Sequence, residues 1–406
     1  MRLLLVHDYG TPVGGAEVMT QTLRDGLRRR GHDARIFASS ARPPAAAGGG
    51  ESFADYECFG TTSRFRTLVQ TANPSAAVRL RSVLAEFRPD VVHVRIFLTQ
   101  LSPLILPLLR GVPCVYHAVW YRAVCPIGTK LLPTGEPCVR RAGAACYASG
   151  CLPARDWVPL MAQMWLWRRW RDAFDAVVAN SEAVARALAA EGIGPIEVIP
   201  NGVPPVQLRP PLAAPPTALY AGRLVDEKGV DILLRAFARV VPAVADARLI
   251  VAGGGAGGGA LESMVAALGL TGRVSMLGHL PRAELERVAA GTWVQVIPSR
   301  WAEPFGIVAV EAMMRGTAVV ASRVGGLADI VEDGRTGLLV PANDVDALTD
   351  ALARLLGGRA LAEAMGGAGR EVALARFNAD AFVDRLVDLD RRLCRARSGR
   401  GGRHGG

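Results

Sequence analysis

Short apolar runs recur along this chain as unbroken stretches, and that pattern restricts the fold more than any other feature. They are Leu3–Val6, Ala34–Phe37, Val91–Val94, Cys114–Val119 and Ala176–Val178, then Ala218–Tyr220, Leu249–Val251, Val274–Leu277, Val294–Ile297, Ala318–Val320 and Leu338–Val340. A strand that is apolar on both faces must be covered on both faces. Each series therefore predicts a doubly wound α/β domain, a parallel sheet wrapped by the helical segments between its strands. At 406 residues the chain is too long for one ordinary core. The divider is the stretch from Pro200-Asn201-Gly202-Val203-Pro204-Pro205 through Pro210-Pro211 to Pro215-Pro216, whose prolines continue neither a helix nor a central strand. The expected domains are 1–203 and 204–379. A last helical pattern at 380–395 follows the second domain, and a Gly- and Arg-rich tail, 396–406, is expected to be disordered. Ala41–Gly50, rich in Pro, Ala and Gly, reads as a flexible surface loop.

The formal net charge of +10 favours anionic partners: sugar nucleotides, phospholipid head groups or nucleic acid. Nucleic acid is the weakest of these, because no basic stripe with interleaved stacking aromatics runs through the domains. The opening apolar run ends in His7-Asp8 and is too short for a signal peptide. The best candidate for a membrane span, Phe97–Leu109, is broken by Gln100, Pro103 and Pro107. The expected location is the cytoplasm, or peripherally on the inner face of the cell membrane, where disulfides are not expected.

In doubly wound domains ligands sit at the carboxyl ends of the strands, and the distinctive residues fall there. After Val294–Ile297, Pro304 and Gly306 open a helix that Gly316 closes. Glu303 stands at its mouth and Glu311 lies further along it. Backbone N–H groups of Phe305, Gly306 and Ile307 point out of the mouth, where the helix dipole favours an anion. Carboxylates for sugar hydroxyls beside N–H groups for phosphate fit a nucleotide-activated sugar. The plain alternative is a strand–helix unit with two solvated acids. After Ala218–Tyr220 come Arg223 and Lys228, two cations placed to neutralise a diphosphate. Gly14-Gly15-Ala16-Glu17 opens a helix after the first strand with the wrong spacing for a dinucleotide fingerprint, and Gly253–Gly259 is either a close backbone approach to a nucleotide or a loose loop.

Two further segments leave alternatives open. Cys125, Cys138, Cys146 and Cys151 could hold a Gly- and Pro-rich loop around zinc, but they lack paired C-x-x-C knuckles, and packed reduced thiols are the alternative. Trp157–Asp172 carries Trp165, Trp167 and Trp170 with Arg168, Arg169 and Arg171. It fits an anionic membrane surface, or else a helix whose Trp side chains pack inward while Arg faces water.

Taken together, GGAE at Gly14–Glu17, HAVWYRAVCP at His117–Pro126, PNGV at Pro200–Val203, GRLVDEKG at Gly222–Gly229, GHLP at Gly278–Pro281, PSRWAEPFGIVAVEAMMRG at Pro298–Gly316 and GGLADIVEDGRTGLLV at Gly325–Val340 resemble the retaining glycosyltransferases of family 4. The resemblance implies the GT-B fold, two Rossmann-like domains facing each other across a cleft, with the last helix returning to the first domain. It implies that Arg223 and Lys228 clamp the donor diphosphate and that Glu311 binds the ribose. Glu303 would bind the transferred sugar, and Phe305, Gly306 and Ile307 would offer N–H groups to sugar and phosphate. Gly15 would contribute an N–H from the opposite domain, and His117 would bind a donor-sugar hydroxyl near the reacting centre. The donor would be a UDP- or GDP-sugar and the acceptor a glycan, a lipid-linked or a small molecule. Transfer would be front-side, with no metal and no cofactor required. A sugar-nucleotide epimerase and a non-catalytic sugar-nucleotide-binding subunit are the rival readings.

Overall fold

The apolar runs emerge as parallel strands in a computed structural model that describes residues 1–11, 14–42 and 51–401. The chain divides into two units, one comprising Met1–Gly202 and the segment from Ala379, the other Val203–Asn378. Most of Ala41–Gly50 and the last five residues of the expected tail lie outside the described residues.

In the first unit the strands are β1 (Arg2–Tyr9), β2 (Asp33–Ser39), β3 (Tyr56–Cys58), β4 (Val91–Ile96), β5 (Cys114–Ala118), β6 (Ala176–Ala179) and β7 (Ile196–Val198), in the order β3-β2-β1-β4-β5-β6-β7. The chain builds outward from β1 in both directions, so the topological switch point falls between β1 and β4. Leu3, Leu4, Leu5 and Val6 are wholly buried there, as strands covered on both faces must be. The edge strands β3 and β7 carry no continuous apolar run, and the sequence pattern does not mark them. Helix α1 (Gly15–Arg29) turns Leu23 and Leu27 onto one face of this sheet. From the far end of the chain, the C-terminal helix Ala379–Gly401 joins the same core through Phe382, Val383, Leu386 and Val387. The approach is close: a Cβ on Gly26 of α1 would stand 2.6 Å from Val383.

This helix runs past Arg395, so a tail disordered from residue 396 is not what forms. Arg397 binds Asp175 at 3.2 Å and the carbonyl of Arg110, and the Ser398 hydroxyl donates to the Cys394 carbonyl. Further along the first unit, α2 (Arg66–Thr71) packs on α3 (Ala154–Trp170), with Thr67 donating to Asp156 at 2.8 Å. Trp167 of α3 is buried against Phe97, Tyr116 and Phe174, and its indole donates to the Ala123 carbonyl, whereas Trp165 faces outward, 63% exposed. The tryptophans of this helix are thus split between the core and the surface.

The second unit holds β8 (Thr217–Ala221), β9 (Arg248–Ala252), β10 (Val274–Gly278), β11 (Val294–Ile297), β12 (Ala318–Ser322) and β13 (Gly337–Val340), ordered β10-β9-β8-β11-β12-β13. Here the switch point lies between β8 and β11. Helix α4 (Val230–Val240) leads from β8 to β9, α5 (Arg282–Ala290) from β10 to β11, and α6 (Ile307–Arg315) from β11 to β12. The proline stretch does not hang free between the units. The Arg209 guanidinium donates to the Gly316 and Pro210 carbonyls and Leu212 enters the core, so the segment is fastened along the second unit.

Candidate functional site

The switch point of the second unit gathers the charged residues. From β8 the chain crosses Arg223 and a short 3-10 turn, Asp226–Lys228, before α4. From β11 it crosses Ser299 to Glu303 before α6. Arg300 ties these two connections together: its N–H donates to the Glu227 carbonyl at 2.9 Å, and its guanidinium grips Asp226 at 2.8 Å and Asp231 at 2.6 Å. With the loops fastened, Lys228 Nζ meets Glu303 Oε1 at 2.5 Å, and Ser299 donates to the same oxygen at 2.6 Å. The Lys228 ammonium also lies 5.3 Å from the Trp301 ring centroid.

Glu303 is 7% exposed. Burial pushes its carboxyl up, but the Lys228 charge and the hydrogen bonds from Lys228 and Ser299 outweigh burial and hold it below its ordinary value. It is an ionised carboxylate in a nearly dry place. Gly306 caps α6, and the first N–H groups of that helix have no carbonyl one turn earlier to bind. Glu303, Phe305, Gly306 and Ile307 are thus brought together with Lys228 as a cation, an anion and a helix N-terminus at one strand end.

The connection after β12 sets the Glu303 loop. Gly326 N–H donates to the Glu303 carbonyl at 2.7 Å. Gly325 has φ +53, and a Cβ there would stand 2.2 Å from the Glu303 carbonyl oxygen. Gly325→Ala should therefore cost about 1–3 kcal/mol of stability and displace Glu303. Thermal unfolding together with initial rates checks this; an alanine variant matching wild type in both would refute the role given to the turn. The glycine run at 253–259 has a similar use rather than being loose. A Cβ on Gly253 would fall 1.7 Å from the Gly222 carbonyl oxygen, and Leu224 N–H donates to the Gly254 carbonyl, so the run presses against the Arg223 loop.

Two expected partners sit differently. Arg223 is not in contact with Glu303; its side chain is 61% exposed and pairs with Glu227 at 3.3 Å. Glu311 lies on α6 as expected, but Arg282 of α5 holds its Oε1 at 2.6 Å and also binds Glu286, which pairs with Arg315. Arg282, Ser299 and Arg300 are the residues that sequence reasoning missed. Only the GHLP stretch just before Arg282 hinted at the first.

In the first unit the polar residues cluster at the carboxyl ends of β1, β4 and β5. Asp8 accepts from the N–H groups of Thr99, Gln100 and Leu101 at 2.7–2.9 Å and shapes the connection after β4. Burial raises its pKa, and these bonds offset part of the rise. Gly15 is the first residue of α1 and is exposed, while Glu17 is buried in the first turn. Burial lifts Glu17 to about 7, against hydrogen bonds from backbone N–H groups of Glu17 and Gly14. His117 has 0% exposure: its Nδ1 is 3.1 Å from an Arg95 Nη1, and its ring stacks obliquely on Phe382. Burial, then the Arg95 and His93 charges, hold it far below the ordinary imidazole value, so it is neutral. The resemblance implied that His117 binds a donor-sugar hydroxyl; the structure places its ring wholly within the first unit.

Among the described residues no group of three His, Cys, Asp or Glu side chains is arranged to hold a metal ion, and all seven cysteines are free thiols. Among them, too, no helix is long and apolar enough to cross a membrane.

Comparison with known proteins gives two family matches that together span most of the chain. Residues 13–207 match Glycosyltransferase Family 4, and residues 208–372 match Glycosyl transferases group 1. The chain is 32% identical over 295 residues to a GDP-mannose-dependent alpha-(1-6)-phosphatidylinositol monomannoside mannosyltransferase of Mycobacterium tuberculosis, covering 67% of this chain and 75% of that protein. Among solved structures, sucrose-phosphate synthase from Thermosynechococcus elongatus superposes with a TM-score of 0.74 at 24% identity, over 98% of this chain and 100% of that one. Anabaena HepE in complex with UDP and glucose gives 0.69 at 22% identity, over 96% and 99%.

Proposed function

The chain belongs to glycosyltransferase family 4, and on that premise we propose that it moves a sugar from a nucleoside-diphosphate donor to an acceptor hydroxyl with retention at the anomeric carbon. The Lys228–Glu303 contact at the mouth of α6 carries this reading. The donor diphosphate takes the Lys228 ammonium and the N–H groups of Phe305, Gly306 and Ile307, where the helix dipole adds to the field. Arg223, exposed and held only by Glu227, has the freedom to join it. Glu303 accepts hydroxyls of the sugar being moved. Arg282 binds one oxygen of Glu311, and the other serves the ribose. In the first unit Gly15, exposed at the start of α1, is placed to offer its N–H to an anion.

Charge dictates the mechanism. Cleavage of the sugar–phosphate bond builds an oxocarbenium-like sugar and an additional negative charge on the departing diphosphate, which Lys228, Arg223 and the helix mouth stabilise. Glu303 is committed to Lys228 and Ser299 and is not offered as a nucleophile. Attack is therefore front-side, with the departing phosphate taking the acceptor proton. These cations perform the charge neutralisation that a divalent ion would otherwise supply, so no metal is needed.

The acceptor is placed among glycans, lipid-linked molecules and small molecules, and a lipid-linked one is favoured by one surface. Arg64, Phe65, Arg66 and Leu68 around α2 and Arg155, Val158, Trp165 and Arg169 of α3 are all exposed on two helices in contact, a basic and apolar combination fit for an anionic membrane. The relative that uses GDP-mannose and the neighbour that holds UDP keep both bases in play. The test is a panel of UDP- and GDP-sugars with and without acceptors, in chelator. The expected result is acceptor-dependent release of nucleoside diphosphate and a product with the donor's anomeric configuration. Epimerised sugar nucleotide, or binding without turnover, would overturn the reading in favour of its two rivals.

A further inference from the structure

The first unit holds a concentration of positive charge that the proposed reaction does not use. Arg141, Ala142, Arg168, Arg171 and Glu191 line a cavity of about 370 Å³. Arg168 is on α3, Arg171 follows it in the turn Arg171–Ala173, and Arg141 comes from the long connection between β5 and α3. Glu191 lies just past the helix Glu182–Ala189, which follows β6. Each guanidinium is held by a backbone carbonyl: Arg141 donates to Ala190 at 3.3 Å, Arg168 to Ala142 at 3.1 Å and Arg171 to Glu191 at 3.2 Å. The Glu191 carboxylate is 3.8 Å from Arg141 and 3.9 Å from Arg168, beyond hydrogen-bonding distance.

Charge balance sets what such a cavity can take. A helix C-terminus presents about half a negative charge, which draws cations to the carbonyls of Ala190 and Glu191. Together with the one carboxylate, that offsets about half of the charge of three guanidiniums. No other acid lines the cavity among the described residues. An arginine has several N–H donors and no acceptor, so a bond to a single carbonyl leaves donors over for a ligand that is anionic and rich in oxygen. The carbonyl bonds also fix the guanidiniums beforehand, so less side-chain freedom is lost when the ligand arrives. We propose that Arg141, Arg168 and Arg171 form a binding pocket for a phosphate group, belonging to the first unit alone and distinct from the donor-phosphate site assigned to Lys228. The phosphate is that of a soluble phosphate ester or of an anionic lipid headgroup. Trp165 precedes Arg168 by three residues on the same side of α3, and both are exposed, which suits a headgroup at a membrane interface. The pocket does not depend on the chain transferring a sugar.

The test uses the full chain and two probes. One is glycerol phosphate, followed by calorimetry; the other is vesicles of phosphatidylcholine with or without phosphatidic acid, followed by co-sedimentation. Arg141→Gln and Arg168→Gln each remove one guanidinium from the cavity, and Arg141 is exposed enough that its replacement should fold. Arg186→Gln, on the helix Glu182–Ala189 but outside the cavity lining, removes the same charge elsewhere. Wild type should bind at least one probe, and each cavity variant should weaken that binding about fivefold or more, the scale of one charge-assisted hydrogen bond. Arg186→Gln should change it less than about twofold, since a charge further off is screened. Glycerol phosphate bound without preference for phosphatidic acid vesicles assigns the pocket to a soluble ester; preference for those vesicles assigns it to a headgroup. A wild type that binds neither probe overturns the proposal and leaves the arginines as struts between backbone segments. An equal loss in all three variants also overturns it, because binding would then follow overall charge.

Discussion

Lys228→Ala should lower kcat/KM for sugar transfer by about 10²- to 10³-fold, the loss expected when one fixed electrostatic donor to a developing anion is removed. The same change should cost about 3 kcal/mol of stability, because it strands Glu303 as a buried carboxylate with its cation gone. The two losses have different pH signatures. In wild type the Glu303 carboxyl titrates below its ordinary 4.5, so its contribution is present above that value and disappears as pH falls through the folded pKa. Without Lys228, burial dominates and the folded pKa moves above the unfolded one. The variant is then most handicapped at neutral pH and recovers relative to wild type on acidification. Adding Glu303→Gln to Lys228→Ala should restore most of the stability and none of the rate. Denaturation at several pH values, paired with initial rates, checks each part. A Lys228→Ala protein within about threefold of wild-type kcat/KM would remove the lysine from the chemistry.

Asp390→Ala should be the most destabilising substitution in the first unit, at about 3–5 kcal/mol. Asp390 Oδ1 meets His93 Nε2 at 2.8 Å, with 0% and 1% of the two side chains exposed. Removing one partner leaves the other buried without its hydrogen bond. The pair also fastens the C-terminal helix to β4 across nearly 300 residues of sequence. Loss of the aspartate should therefore free the helix first. Hydrogen exchange should accelerate along Phe382–Leu389 before it does in the second unit. Replacing both partners together, His93→Leu with Asp390→Leu, should recover much of the loss, since apolar groups of similar size need no partner. A single variant costing under about 1 kcal/mol would mean that the helix is held by its apolar face alone.

How much could be read in the sequence depends on how local each signal is. Leu3–Val6 and Val294–Ile297 announce buried parallel strands because covering both faces demands an unbroken apolar run, and both strands form. Tyr56–Cys58 and Ile196–Val198 escape because an edge strand has a neighbour on one side only and can stay short and mixed. The charged groups at strand ends, Lys228 and Glu303, were legible because charge after a buried strand has few structural uses. Their direct contact was not, since it depends on Arg300 gripping Asp226 and Asp231 from another loop. The contacts of Arg282 and Arg95 were not legible for the same reason: each takes its meaning from a partner 29 or 22 residues away. The burial of His117 depends on Phe382, which arrives from the far end of the chain.

Equilibrium binding of a nucleoside diphosphate to the full chain tests the central claim most directly, since it isolates the anion site from acceptor and chemistry. Calorimetry in chelator should give wild type binding at least about tenfold tighter than Lys228→Ala, with the difference shrinking as salt rises. Equal affinities for the two proteins would contradict the assignment of the donor phosphates to Lys228 and the mouth of α6.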